Sequence, residues 1–338
     1  MSIKLPATSV DNSCARRLSK IPEAQRRGQT PTQTPTQLLP ASSFSIEQLT
    51  AAYNQTRVDY LVPMPMNAAR LAEYIHTYDV DMDRSLVAVD DPAGRGASSG
   101  QILGLAMLGV RPGRAWVTRL GVLPVKRRRG VGEALVRALL AAAERLGIDD
   151  IVLEVIQNNA PAHALFLKLG FCETGELLIL RRPPAPPASV PPARVRWLDQ
   201  CEALALLHSR STSPAWTNET ESFAHADGVL GLSLRLPKGG VPNGGGGGWL
   251  VFQRQRLMLQ RLTLMTEQGD PRAVGRALLA HLYRQYPDLD THAENIPVDD
   301  SHVKALFEAG CVESFRRLEM KRNPPLCASS RRSSLRRS

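Results

Sequence analysis

The segment of residues 116–132 reads WVTRLGVLPVKRRRGVG and joins a strand-like run to the start of a helix. Apolar residues then recur with helical spacing as far as Gly147, which suits a helix C-terminus. The first N–H groups of a helix lack internal partners, and the helix dipole makes that end positive. Two glycines let an anion approach the backbone closely, and three consecutive arginines add charge. The segment therefore predicts an anion-binding cradle made of Arg127, Arg128, Arg129, Gly130, Val131 and Gly132.

A second informative segment, residues 153–171, reads LEVIQNNAPAHALFLKLGF. Residues 151–156 are apolar on both faces, which is typical of a buried central strand. Residues 160–169 have helical spacing. Phe171 should begin a further strand, with residues 177–180 as its hairpin partner.

Helices and a strand meander are expected before the cradle. Ser45 should open one helix, with Gln48 completing a capping box, and a second helix should cover residues 67–78. Three strand-like runs follow at residues 85–90, 101–110 and 115–123, separated by turn formers, which predicts an antiparallel meander. Residues 1–44 are rich in Thr, Gln, Pro and Ser, and we expect them to form a disordered leader.

A Pro-rich linker, residues 183–193, should separate a first domain (45–182) from a second (194–323). The second domain repeats the order of strand, helix, strand, helix and strand, which indicates an internal duplication. Its glycine run 244–248 is interpreted as a flexible hairpin loop. Its counterpart of the cradle, residues 272–277, is preceded by Glu267 and Asp270, which would repel a pyrophosphate. We therefore expect a degenerate, non-catalytic copy, followed by a basic disordered tail, residues 324–338.

Together the two segments resemble the GNAT superfamily of N-acyltransferases. The family motif [RQ]-x-x-G-x-[GA] is matched by residues 127–132, and a later motif, N-x-x-A-x-x-L-[YF]-x-x-x-G-F, is matched by Asn159, Ala162, Leu165, Phe166, Gly170 and Phe171. Through Leu153, Glu154 and Val155, the first domain is most similar to ribosomal-protein N-terminal acetyltransferases. The resemblance implies an α/β fold of the α+β type. It implies tandem GNAT folds, each a mixed, mostly antiparallel sheet with a splayed parallel pair flanked by helices.

The resemblance also implies roles for individual residues. The backbone at Leu120, Gly121 and Val122 would hydrogen-bond pantetheine, the cradle would hold the pyrophosphate, and the cofactor would also contact Asn159, Ala162 and Phe166. Glu154 would act as general base through water, and the Val122 N–H would donate to the oxyanion. For Glu154, an ordinary strand carboxylate or a substrate-binding group stays open. The family often has a tyrosine as general acid where Phe166 stands, so either water protonates the thiolate or the thiolate leaves unassisted.

These features predict transfer of an acetyl group from acetyl-CoA to a primary amine, by direct attack on the thioester. The alternative is a non-catalytic acyl-CoA-binding protein with a vestigial site. The five cysteines form no C-x-x-C pair and the histidines are dispersed, so no metal site is predicted.

Partners and location follow from composition. The net charge of +10 falls partly in the tail and the cradle, and aromatic residues make up 5%, so we expect no nucleic-acid partner. A nucleic acid held by the tail is the weaker alternative. No run of eighteen apolar residues occurs, so we expect no membrane partner and a cytoplasmic location. The two halves should form a monomer that mimics a dimer.

Overall fold

The computed structural model describes residues 36–90, 100–237 and 245–322. The expectations for residues 1–35, for Gly244 and for the tail 324–338 lie outside these residues. Over the described part, we call residues 36–182 the first half and residues 194–322 the second half.

Six strands and four α-helices form the first half. The strands are β1 (Thr36–Pro40), β2 (Leu86–Asp90), β3 (Gln101–Arg111), β4 (Arg114–Val122), β5 (Asp150–Ile156) and β6 (Phe171–Arg182), and the helices are α1 (Ile46–Gln55), α2 (Ala68–Thr77), α3 (Val131–Arg145) and α4 (Ala160–Lys168). The local helix signals are confirmed. Ser45 caps α1 and forms the capping box with Gln48, because each side chain bonds the other's backbone N–H. Asn67 caps α2.

The second half has the same number of strands. Its strands are β7 (Arg194–Leu198), β8 (Val229–Leu236), β9 (Gly246–Arg254), β10 (Met258–Gln268), β11 (Asp290–Pro297) and β12 (Val312–Arg322), and its helices are α5 (Gln200–His208), α6 (Thr220–Ala224), α7 (Pro271–Gln285) and α8 (Val303–Glu308). From β10 to β12 the order of elements repeats that from β4 to β6. The structure therefore supports the duplication predicted from the sequence.

The two halves share one twelve-stranded sheet in which their last strands are exchanged. The strand order is β1-β2-β3-β4-β5-β12-β6-β11-β10-β9-β8-β7. Strand β12 pairs with β5 of the first half, and β6 pairs with β11 of the second. Burial explains the exchange, because Met320 of β12 lies in the first-half core while Leu178 and Leu180 of β6 lie in the second-half core. Each half therefore needs a strand from the other to complete its core.

Helices cover both faces of the first-half sheet. Helices α3 and α4 pack on one face, where Leu135, Leu139 and Phe166 are buried among residues of β3, β4 and β5. Helices α1 and α2 cover the opposite face with Tyr53 and Tyr74. The sheet is antiparallel except where β4 pairs with β5 and β10 with β11. This is the mixed α/β fold expected from the sequence.

Three expectations are wrong. Residues 36–44 are ordered, because β1 pairs antiparallel with β2 along five residues and buries Ala41 behind it. Residues 171–182 form one strand rather than a hairpin, because β12 pairs along them from Phe171 to Arg181. Residues 246–248 begin β9 rather than a loop. A Cβ on Gly248 would lie 2.2 Å from the Met265 carbonyl oxygen, so glycine lets β9 lie close to β10.

Candidate active site

The parallel strands β4 and β5 pair only near their first residues, at positions 114–116 and 150–152, and then separate. A β-bulge in β4 accounts for this. Leu105 and Met107 of β3 face Gly121 and Thr118, which leaves one extra residue in β4, and Arg119 lies in this bulge with φ of 54°. Because a bulge bends its strand, β4 turns away from β5. A cavity of about 530 Å³ lies beside the gap and is lined by residues of both strands.

The open edge of β4 presents part of the predicted backbone site. The Leu123 N–H donates to the Leu103 carbonyl of β3 at 2.8 Å. Because bonded and non-bonded pairs alternate along an antiparallel ladder, the N–H and C=O of Val122 point away from β3. The Gly121 carbonyl lies on the β3 side, 2.6 Å from where a Cβ on Gly104 would be. The structure therefore places the Val122 N–H on the open edge but turns Gly121 from it.

Helix α3 begins beside this edge without a side-chain cap. Its N-cap residue is Gly130, with φ of 81°, a conformation that glycine adopts without strain. A Cβ on Gly132 would lie 3.6 Å from the side chains of Leu165 and Val122, an ordinary contact distance. Packing therefore does not require glycine at position 132. The first turn of α3 is open to an anion, as the cradle requires.

The three cradle arginines differ in their contacts. The Arg127 guanidinium donates to both Asp59 carboxylate oxygens at 2.7 Å, and to the carbonyls of Thr56 and Val122. Arg127 therefore fixes residues 56–59 against the end of β4. Arg128 and Arg129 are exposed, and neither forms a hydrogen bond or ion pair with another described residue. Of the three predicted phosphate ligands, these two have free guanidinium groups.

Helix α4 brings the second motif to the cavity. Asn159 caps α4 through its side-chain oxygen, which accepts from the Ala162 N–H at 3.4 Å. Asn159, Ala162 and Phe166 all line the cavity. Phe166 is buried and packs edge-on against Phe171, with ring centroids 5.9 Å apart. It therefore forms an apolar part of the wall and supplies no proton.

Glu154 of β5 also lines the cavity. Its carboxylate accepts a hydrogen bond of 2.7 Å from the indole N–H of Trp116, which lies on β4. Burial raises the pKa of Glu154 to about 7, and the charge of Arg317 and the Trp116 hydrogen bond oppose this rise. Glu319, directly opposite on β12, and Glu294 raise the pKa further. A carboxylate with this pKa can take up a proton near neutral pH.

The second half closes one side of the cavity. Arg317 on β12 and Glu294 on β11 both line it, joined by an ion pair of 3.1 Å. Burial alone would raise the pKa of Glu294, but the positive charges of Arg317, His292 and Arg119 outweigh it and lower the pKa to about 2. Glu294 is therefore ionised at neutral pH, whereas Glu154 is partly protonated.

The segment of residues 60–66, with two prolines and two methionines, could from its sequence line the acceptor site or simply pack, and Tyr60, Met64 and Met66 do line the cavity. The Tyr60 hydroxyl lies 3.5 Å from the Asn159 side-chain nitrogen, so a tyrosine stands near α4 although Phe166 replaces the one expected on it. Arg119 of the bulge stacks on Tyr74, with its guanidinium carbon 3.9 Å from the ring centroid. Arg119 belongs to no local motif, so only its position in the fold reveals it as a cavity residue.

The second copy of the cradle is already occupied by protein groups. Asp270 caps α7 and accepts from the N–H groups of Arg272 and Ala273. Arg272 and Arg276 both pair with Glu308. A carboxylate therefore stands at the helix start where the first copy leaves its N–H groups open. This agrees with the prediction of a degenerate second copy.

Among residues 36–90, 100–237 and 245–322, no cluster of three His, Cys, Asp or Glu side chains could hold a metal ion. In the same ranges, no helix is long and apolar enough to cross a membrane.

Comparison with known proteins identifies similar sequences and folds. Residues 51–171 match the Acetyltransferase (GNAT) family. A mycothiol acetyltransferase of Clavibacter michiganensis subsp. michiganensis is 39% identical over 74 residues, which cover 22% of this chain and 24% of that protein. The match thus spans about a quarter of that relative's own length.

Two solved structures share the fold over most of the chain. A tandem GNAT protein from the clavulanic acid biosynthesis pathway superposes with a TM-score of 0.56 at 15% identity, covering 86% of this chain and 99% of that one. A GCN5-related N-acetyltransferase from Sphaerobacter thermophilus gives a TM-score of 0.61 at 13% identity, covering 85% and 95%. At these identities the likeness shows the fold alone, and that fold is the tandem GNAT architecture.

Proposed function

Starting from a chain whose residues 51–171 are a GNAT acetyltransferase domain, we propose that it moves an acetyl group from acetyl-CoA to a primary amine. The observation that carries this proposal is the gap between β4 and β5, which has Glu154 in the adjoining cavity and an uncapped helix start at its edge. Glu154 is suited to activating an amine, and the uncapped helix start is suited to holding a phosphate. Both come from the first half, so we assign the reaction to that half.

The residues at the gap fit an acyl-CoA. The uncapped start of α3, with Arg128 and Arg129 beside it, would hold the pyrophosphate. The open edge of β4 would hydrogen-bond the pantetheine amides, and Asn159 would face the same arm from α4. Acetyl-CoA supplies an activated acyl thioester. Arg127, which is bound to Asp59, would shape the cradle rather than contact phosphate.

Amine attack requires a neutral nitrogen, a donor for the oxyanion and a proton for the leaving thiolate. Glu154 would accept the proton of the amine, directly or through water, since its pKa of about 7 suits that role. The Val122 N–H would donate to the oxyanion. The Tyr60 hydroxyl, 3.5 Å from Asn159, would supply the proton that Phe166 cannot. The amine nitrogen forms the new bond to the acyl carbon as the carbon–sulfur bond breaks.

The second half would shape the acceptor pocket without catalysing. Residues of β10, β11 and β12 line the cavity, whereas its own cradle is capped by Asp270. Because one chain supplies both halves, a monomer would contain the complete site.

Acetyl-CoA binding is tested by thermal stability, with the double variant Arg128→Gln and Arg129→Gln. Both side chains are exposed and form no hydrogen bond or ion pair with another described residue, so the variant should fold like the parent. The change removes the two free guanidinium groups beside the start of α3, and we expect it to lose much of the stabilisation by acetyl-CoA. Arg196→Gln, an exposed arginine of β7 paired with Glu202, is the matched control. Equal stabilisation of all three proteins would contradict the cradle.

Turnover is tested by release of free CoA thiol with a panel of amines. Glu154→Gln should lower kcat by about 10²-fold or more, in the range of general-base losses, while acetyl-CoA still stabilises the protein. A protein that binds acetyl-CoA but releases no thiol with any amine would instead be the non-catalytic binder considered above. An unchanged rate in the Gln variant would remove Glu154 from the mechanism.

A further inference from the structure

The cavity wall carries more positive charge than its carboxylates balance. Among its lining residues, Arg317 is paired with Glu294, and Glu154 is partly protonated near neutral pH. Arg119 and Arg261 form no ion pair with a carboxylate of any described residue. A wall of this kind attracts a negative group.

Of these two arginines, Arg119 gives the clearer evidence for a missing negative partner. Its Nη1 donates to the Tyr53 hydroxyl at 3.1 Å, and the guanidinium stacks between the rings of Tyr53 and Tyr74. Its Nε is buried and has no hydrogen-bond partner among the described residues. The carboxylate that acts on it, Glu294, is already bound to Arg317. A buried donor left without an acceptor costs about 1–3 kcal/mol, so the protein's own groups do not fully pair the Arg119 guanidinium.

Arg261 has a matching environment in the second half. Its Nε donates to the Gln253 side-chain oxygen at 2.8 Å and its Nη1 to the Thr217 carbonyl at 3.2 Å. Its guanidinium carbon lies 4.8 Å from the ring centroid of Tyr78. Tyr78 in turn packs on Tyr74 with centroids 4.7 Å apart. Each tyrosine of this pair therefore stacks with an arginine, Tyr74 with Arg119 of the first half and Tyr78 with Arg261 of the second.

The acyl-CoA phosphates do not account for these charges. Their proposed place is the start of α3, and none of the cradle residues 127–132 is among those lining the cavity. The pantetheine arm that would enter the gap is uncharged. The negative group must therefore belong to the other substrate.

We propose that the acceptor amine also carries an anionic group, a carboxylate or a phosphate, which binds to Arg119 and Arg261 while the amine faces Glu154. This inference rests on the proposed function, because it concerns the acceptor of that reaction. It narrows the acceptor from any primary amine to a zwitterionic one. Polyamines and other purely cationic acceptors are thereby excluded, since they would meet two arginines.

The test uses pairs of amines that differ in the anionic group. L-phenylalanine against phenethylamine tests a carboxylate, and O-phosphoethanolamine against ethanolamine tests a phosphate. In at least one pair we expect the anionic member to have a kcat/KM about ten-fold higher or more, as for a hydrogen-bonded charge pair. Arg119→Gln should bring that ratio close to one and Arg119→Lys should keep part of it. Arg196→Gln, an exposed arginine of β7 paired with Glu202, is the control.

A second readout covers the case in which neither pair reacts. Thermal stability with saturating CoA reports whether the anionic amine binds at all, without turnover. Arg261→Gln is measured in parallel in case Arg119→Gln unfolds. The inference is overturned if the amines without the anionic group react or bind as well as those that carry it. It is also overturned if the preference for the anionic amine is the same in both arginine variants as in the parent. If neither anionic amine stabilises the protein, with or without CoA, the inference is likewise overturned. Failure of the proposed function has another signature, which is absent stabilisation by acetyl-CoA.

Discussion

Replacing Arg317 with glutamine should move the pH profile of acetyl transfer to higher pH. In the proposed mechanism the deprotonated form of Glu154 is the active base, so kcat should rise with pH through the pKa of Glu154, about 7. The positive charge of Arg317 lowers that pKa. Its removal therefore raises the pKa, and it also frees the negative charge of Glu294, which acts in the same direction.

The magnitude follows from the register of two strands. Arg317 on β12 faces Ile156 on β5, so Glu154 is its diagonal neighbour, at roughly 7 Å. Two unit charges at that separation interact by about 2.4 kcal/mol at an effective dielectric constant of about 20, which corresponds to about 1.7 pKa units. Because Arg317 shares its charge with Glu294, we expect a shift of about one unit.

The assay measures kcat at saturating acceptor and acetyl-CoA between about pH 5 and 9, which brackets the expected pKa. Glu294→Gln supplies a test of opposite sign, because it removes a negative charge that raises the Glu154 pKa and should move the profile to lower pH. Arg322→Gln is the control, an arginine of the same strand bound to Glu144 at the surface. Equal profiles in all variants, or shifts of the same sign in the first two, would refute the assignment of Glu154 as base.

Three further outcomes are expected. Tyr60→Phe should lower kcat about ten-fold through loss of the proton donor, without changing the stabilisation by acetyl-CoA; an unchanged kcat would leave protonation to water. Glu219→Ala should lower the free energy of unfolding by about 3 kcal/mol, because buried Arg111 loses a 2.7 Å partner. If a denaturant titration gives a loss of less than about 1 kcal/mol, the pair of Arg111 and Glu219 contributes no more than a surface ion pair does. Asp59→Ala should weaken acetyl-CoA binding by freeing Arg127, and an unchanged thermal stabilisation would argue against its shaping role.

Local signals predicted much of the first half. Ser45, Gln48 and Asn67 marked helix starts, because a cap interacts with N–H groups only a few residues away. The cradle was equally local, since its glycines and arginines lie within one turn of the start of α3. Of the residues predicted for the cofactor, four line the cavity beside the gap, namely Leu120, Asn159, Ala162 and Phe166, because their motifs belong to consecutive elements. Their roles as ligands stay a prediction.

Other features depend on residues far apart in the sequence. No pattern in residues 171–182 or 312–322 indicates that β12 inserts between β5 and β6, because the pairing depends on residues far apart in the chain. Only the packing of Met320 in one core and of Leu178 in the other selects the exchange. The predicted domain boundaries therefore divide the chain in sequence order, but they do not divide the sheet, which continues from one half into the other.

The sequence by itself determined the α/β fold and predicted the anion cradle, because periodicity, caps and a short glycine–arginine motif act over a few residues. The tertiary structure alone decided the chemistry of the cavity. It placed Glu154 beside Trp116, raised its pKa by burial and adjusted it through charges more than a hundred residues away, and left the Nε of Arg119 buried without a partner among the described residues. Desolvation and charge interactions depend on distance in space, and a sequence records only distance along the chain.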